Sequence, residues 1–102
     1  MIKKVYSIFD SCVGLYSPPM AYVAEGEVVR EFLDLAVSAE SKIGAHPEHY
    51  SLYYIGQFDD SKGEIIAGQK VCVITAQEAV AQAQGGAVPE PNLEVVSPGG
   101  SA

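Results

Sequence analysis

Apolar and polar residues alternate along residues 2–10: Ile2, Lys4, Tyr6 and Ile8 interleave with Lys3, Val5, Ser7 and Phe9, and both sets hold apolar side chains. Successive side chains of a strand point to opposite faces, so this pattern predicts a first strand covered on both sides over part of its length. Residues 11–14 end it. Ser17, Pro18 and Pro19 follow as a rigid connector, because proline fixes φ and has no N–H to give a ladder, and residues 20–24 read as a short edge strand. The period then changes. Val28, Val29, Phe32, Leu33, Leu35, Ala36 and Val37 recur at three- and four-residue spacing, which predicts an amphipathic helix over residues 25–43. Glu25 and Glu27 suit its positive end and Lys42 its negative end, and Gly44 reads as the stop. Arg30 lies in the first turns, where Glu27, Glu31 and Asp34 are within helical reach as partners.

Residues 46–66, HPEHYSLYYIGQFDDSKGEII, form the stretch around which the rest is organised. Pro47 biases His46 toward an extended conformation. From Tyr50 to Phe58, aromatic and branched residues alternate as in a pleated strand, with Gly56 marking a bulge or a close approach of another backbone. Asp59 to Gly63 is turn chemistry, and residues 64–67 read as the returning strand of a hairpin. Gly68, Gln69 and Lys70 lead to a last strand, VCVIT, over residues 71–75. Thr75, with Glu78 three residues on, forms a capping box that opens a short helix over residues 76–84. From Gly85 onward periodicity is lost among glycines and prolines. The expected fold is α+β: a small, mostly antiparallel sheet packed on one principal helix, in a single domain over residues 1–84, with a short C-terminal helix and a flexible Gly/Pro tail over residues 85–102. One helix cannot cover both faces of a sheet, so a homo-oligomer is expected.

Composition narrows the function. With 102 residues, 48 % of them hydrophobic and 19 % charged, the chain suits one soluble globular domain. No apolar run approaches the ~20 residues that span a bilayer, so no membrane partner is expected. Cys12 and Cys72 stand far apart without a CxxC-type partner, which fits a reducing cytoplasm better than a disulfide framework or a zinc site. Cys72, in a hydrophobic strand, reads as a buried, inert thiol. His46 and His49, with Glu48 between them, read as surface or hydrogen-bonded residues rather than metal ligands, and Asp59 and Asp60 as turn residues rather than a carboxylate pair. No catalytic constellation and no cofactor site emerges, and an enzyme is not expected. A net charge of -7 argues against a general polyanion-binding surface, leaving only local contact with nucleic acid. Single strands need less basic charge than duplexes, because aromatic rings stack on bases while a few cations meet phosphates. On that reading Lys3, Lys4 and Arg30 supply cations, and Tyr6 and Tyr53, beside Tyr54, supply rings. The competing reading makes these tyrosines core and interface aromatics.

Three segments carry a family resemblance: KKVYSIFDS at residues 3–11, EVVREFLDLA at residues 27–36, and HPEHYSLYYIGQFDDSKGEI at residues 46–65. As an ordered set they resemble the small nonstructural protein of gokushoviruses, the Microviridae branch of single-stranded DNA phages, with Arg30 and Phe32 at matching positions. Beyond Ala67 the resemblance fades. It implies a non-capsid protein made in the infected cell and acting in the host cytoplasm. Proteins of this kind are often labelled DNA-binding and are likened to the C protein of phiX-like coliphages, which turns replication toward packaging of single-stranded genomes. The partners implied are single-stranded viral DNA and phage replication or capsid proteins. It brings no catalytic residue. A protein–protein adaptor or scaffold, using the acidic surface and the tail without touching DNA, is the alternative.

Overall fold

The alternation over residues 2–10 becomes β1 (Ile2–Asp10), a central strand of a five-stranded antiparallel sheet in a computed structural model that describes residues 1–85. β1 continues into β2 (Leu15–Tyr16) through a tight turn in which Gly14 takes a positive φ of 73° and its N–H donates to the Asp10 carbonyl at 2.8 Å. The sequence pattern does not reveal β2, because two residues carry no period. β3 (Met20–Tyr22) also pairs with β1, within the expected edge strand. The long hairpin follows: β4 (Tyr50–Asp59) and β5 (Glu64–Thr75) complete the order β2-β1-β4-β5.

The hairpin turn is built as its residues suggest. The Asp59 carboxylate accepts from the Ser61 N–H at 3.0 Å and the Ser61 hydroxyl at 2.7 Å, and Gly63 takes a positive φ of 66°. These hydrogen bonds hold the Asp59 carboxyl below its ordinary value, the Ser61 hydroxyl having the largest effect. The expected connector at residues 68–70 is, however, part of one continuous twelve-residue strand. Gly68 serves a close backbone approach there rather than a turn: a Cβ on it would sit 3.1 Å from the Gly56 Cα, and one on Gly56 would sit 2.4 Å from the Ile66 carbonyl oxygen. The register shifts between Tyr54 and Gly56, as expected of a bulge at that glycine.

The principal helix is shorter than its periodicity predicts. α1 (Glu25–Val37) stops at Ser38, which is extended, and a separate turn, α2 (Lys42–Ala45), begins after Ser41. Two serines take over the backbone there: the Ser41 hydroxyl meets the Leu35 and Ser38 carbonyls at 2.5 and 3.1 Å, and it accepts from the Gly44 N–H at 2.9 Å. The chain then makes a 3₁₀ turn over Pro47–His49 before β4. α3 (Ala76–Ala83) starts with the expected capping box, the Thr75 N–H donating to Glu78 Oε1 at 2.9 Å and the Glu78 N–H to Thr75 Oγ1 at 3.1 Å. The remainder of the expected tail lies outside the described residues. None of the helices described is long and apolar enough to cross a membrane.

All three helices contribute to a core on one face of the sheet. Tyr6, Leu52 and Ile74 pack with Val28, Phe32 and Ala36 of α1, Ile43 of α2, and Ala76 and Ala79 of α3. The apolar stripe of α1 is narrower than its spacing predicts: Leu35 and Val37 are exposed. Two tyrosine hydroxyls reach from this core to α1, Tyr6 donating to Glu25 Oε1 at 2.8 Å and Tyr22 to Glu31 Oε1 at 2.5 Å. The hydrogen bond to Glu31, with burial second, pushes the Tyr22 phenol up to about 12, while burial first, and then Glu25, raises Tyr6 further. A raised phenol stabilises the fold in full below the unfolded value near 10 and loses that contribution as pH rises through the folded value. Denaturant stability is therefore expected to fall above about pH 10, and Tyr22→Phe should remove the ultraviolet ionisation step near pH 12.

Candidate nucleic-acid interface

Cross-strand partners share a face, so the register identifies what points away from the helices. Ser7, Tyr53 and Cys72 lie side by side on β1, β4 and β5, and Phe9 lies beside Tyr16. Ser7 is buried on this face, its hydroxyl donating to the Ser17 carbonyl at 2.8 Å, while Ser17 Oγ accepts from the Ile8 N–H at 2.9 Å. These bonds fasten the Ser17-Pro18 connector over one part of the face and leave the aromatic part open.

That open part is a cluster of three rings. Phe9 and Tyr16 lie 4.6 Å apart, tilted by 42°; Tyr53 stands edge-on to both, 6.2 Å from Phe9 and 5.7 Å from Tyr16. Edge-to-face and offset contacts at such distances are favoured by ring quadrupoles, so the rings hold one another in place. Tyr16 keeps 39 % of its surface exposed. Lys70 reaches over it from β5, with Nζ 5.0 Å from the ring centroid and 3.3 Å from the hydroxyl. An ordered set of aromatic surfaces with an ammonium beside it has the chemistry to stack bases and meet a phosphate.

The residues expected to meet nucleic acid are scattered. Tyr53 belongs to the cluster, and Lys3 shares its face, opposite Phe58 and 3.6 Å from the Asp60 carboxylate. Lys4 is exposed on the opposite face, paired in register with Tyr22 and Gln57, beside Glu25 and Tyr54. Arg30 is exposed on α1 and makes no ion pair among the described residues. Tyr6 is fully buried and hydrogen-bonded to Glu25, so its ring offers no stacking surface; alternation places it on a face without saying that the helices cover that face. Phe9, Tyr16 and Lys70 are contributors that the sequence pattern does not single out. The Phe9–Tyr16 neighbourhood depends on the two-residue strand, and Lys70 falls in a stretch that reads as a connector.

Charge is distributed unevenly. α1 carries Glu25, Glu27, Glu31 and Asp34 against Arg30, whereas the strands balance Lys3, Lys4 and Lys70 against Asp10, Asp59 and Glu64. Acidity thus collects in the helical layer, away from the rings. Cys72 corrects an expectation: it is exposed, as Cys12 is, because no helix covers its side of β5. Partial burial of its sulfur, followed by the nearby Glu78 carboxylate, pushes the Cys72 thiol up, which lowers the thiolate fraction at neutral pH.

No curated protein and no solved structure matches this chain. A family model described as "Phage ORF5 protein" matches residues 3–79, which include the described strands and helices apart from Ile2 of β1 and the last four residues of α3. With most of its 102 residues matched, the chain belongs to the Phage ORF5 protein family.

Proposed function

We propose that this phage protein is a non-enzymatic homo-oligomer that binds single-stranded DNA through the helix-free face of its sheet and acts in replication or packaging of a single-stranded genome of the gokushovirus kind, in the host cytoplasm. The observation that carries the reading is the Phe9–Tyr16–Tyr53 cluster with Lys70 beside its exposed ring. Stacking is tolerant of base identity, as coating or handing over a genome requires, and is worth about 1–3 kcal/mol per base. Few cations lie on this face, so each protomer releases few counterions, and association of several protomers along one strand supplies the rest of the affinity. The long outer edge of β5 supports such association: Ile65, Ile66 and Val71 are 72 %, 46 % and 52 % exposed there, beside a row of backbone groups that no described strand pairs.

The test is charge reversal at the two lysines of this face. Lys3→Glu and Lys70→Glu are each expected to weaken binding of a single-stranded oligonucleotide and to lower the slope of log affinity against log salt by about 0.7 for each phosphate no longer neutralised. Lys4→Glu, on the other face, should leave that slope unchanged. Equal behaviour of all three variants would remove the face assignment. The same apolar edge of β5, with a net charge of -7, favours a second reading as an adaptor between phage proteins that never touches DNA. In that case Ile66→Lys would abolish capture of the phage replication or capsid partner, and no variant would show a salt slope with DNA.

A further inference from the structure

The 3₁₀ turn before β4 brings together three metal-ligating side chains that take no part in the open aromatic face. We propose that His46, Glu48 and His49 form a binding site for a borderline divalent transition-metal ion of the Zn²⁺ type. A 3₁₀ helix has three residues per turn, so residues i and i+3 stand one above the other. His46 and His49 have that spacing, and the turn is closed by the His49 N–H donating to the His46 carbonyl at 3.0 Å. Their rings are stacked, with centroids 5.9 Å apart and planes 28° from parallel. The Glu48 carboxylate reaches both: Oε2 is 4.0 Å from His46 Nδ1 and 3.9 Å from His49 Nε2, and all three ligand atoms lie within 4.8 Å of one another.

Bonds near 2.0 Å in a tetrahedral site require ligand atoms about 3.3 Å apart. The side chains therefore have to close by about half an ångström to one and a half, which the exposed His46 imidazole and Glu48 carboxylate achieve by small rotations toward the half-buried His49. The backbone beneath them is already set. The His46 N–H donates to the Lys42 carbonyl at 3.1 Å, the Ser11 N–H donates to the His49 carbonyl at 2.8 Å, and Pro47 fixes φ between the ligands. Two imidazoles and one carboxylate match the donor preference of Zn²⁺, Cu²⁺ and Ni²⁺; Ca²⁺ and Mg²⁺ take oxygen ligands. Three protein ligands leave the fourth position of the ion to water or to a donor from another molecule, in the pattern of an open rather than a closed site.

The chain has only these two histidines, which makes the experiment clean. The untagged full chain, with Cys12→Ser and Cys72→Ser to remove the thiols, is titrated with Zn²⁺ by calorimetry while the imidazole resonances are followed by NMR. The expected result is one ion per chain, movement of both histidine signals, and no competition from millimolar Mg²⁺. Loss of an outer partner of a metal ligand costs roughly 10- to 100-fold in affinity, so His46→Gln or His49→Gln, each removing a ligand itself, should cost at least about tenfold. Circular dichroism should show these exposed-site variants folded; if either is not, the NMR response of the parent chain decides alone. Absence of binding in the thiol-free chain, histidine signals that do not move, or affinity that survives both substitutions would overturn the site.

Discussion

Tyr6→Ala is expected to destabilise the domain by about 3–5 kcal/mol, the cost of removing a fully buried aromatic ring and leaving a cavity behind it. Tyr6 is 0 % exposed, and its ring meets Tyr22 at 6.2 Å and Tyr54 at 5.7 Å, edge-on in both cases. It lies between α1 and the sheet, where no neighbour can collapse into the space without moving an element. A small domain has only about 5–15 kcal/mol in total, so this single change approaches global unfolding. Tyr6→Phe keeps the ring and loses only the hydrogen bond to Glu25, whose carboxylate remains solvated; about 0.5–1.5 kcal/mol is the expected cost. Urea unfolding of both variants checks the numbers. Because Tyr6→Phe keeps the open face intact, its affinity for single-stranded DNA should equal that of the parent chain, which separates a core tyrosine from a base-stacking one.

The second large effect belongs to the open face. Tyr16→Ala removes the most exposed ring of the cluster together with the surface over which Lys70 sits. At about 1–3 kcal/mol per stacked base, affinity for a single-stranded oligonucleotide should fall roughly 5- to 150-fold. Tyr53→Ala should lose a similar amount, and its effect should not add fully to that of Tyr16, since the two rings are 5.7 Å apart and support each other. Tyr16→Phe keeps the stacking surface and should retain most of the affinity. Both alanine variants keep the helix-side core and should remain folded, with thermal transitions lowered only by the ring contacts each one loses, two in the case of Tyr53.

The fold is legible in the sequence where local chemistry and period agree. The strand over residues 2–10, the hairpin around Asp59 to Gly63 and the capping box at Thr75 each rest on interactions within a few residues. The departures come from contacts that period does not encode. Ser38 and Ser41 end α1 because their groups compete for its last carbonyls, although the apolar spacing runs on to Ile43. Gly68 looks like a break until Gly56 is placed opposite it, where the pair allows two strands to approach closely. The site is only half legible for a related reason. Alternation divides β1 into a Tyr6 set and a Phe9 set, but which set the helices cover depends on how α1 crosses the sheet. Tyr53 is therefore found on the open face and Tyr6 inside, while Tyr16 joins the cluster through the two-residue strand β2 and Lys70 reaches it from 54 residues further along the chain.

The most direct measurement is a fluorescence-anisotropy titration of a labelled single-stranded oligonucleotide with the full chain at two salt concentrations, alongside a duplex of the same sequence, with the oligomeric state followed by light scattering. Saturable binding that prefers the single strand, weakens with salt along a shallow slope and is abolished or sharply reduced in Tyr16→Ala is the expected result. A well-formed oligomer that binds neither strand, or that binds single strand and duplex alike, would contradict a DNA-stacking role for the open face.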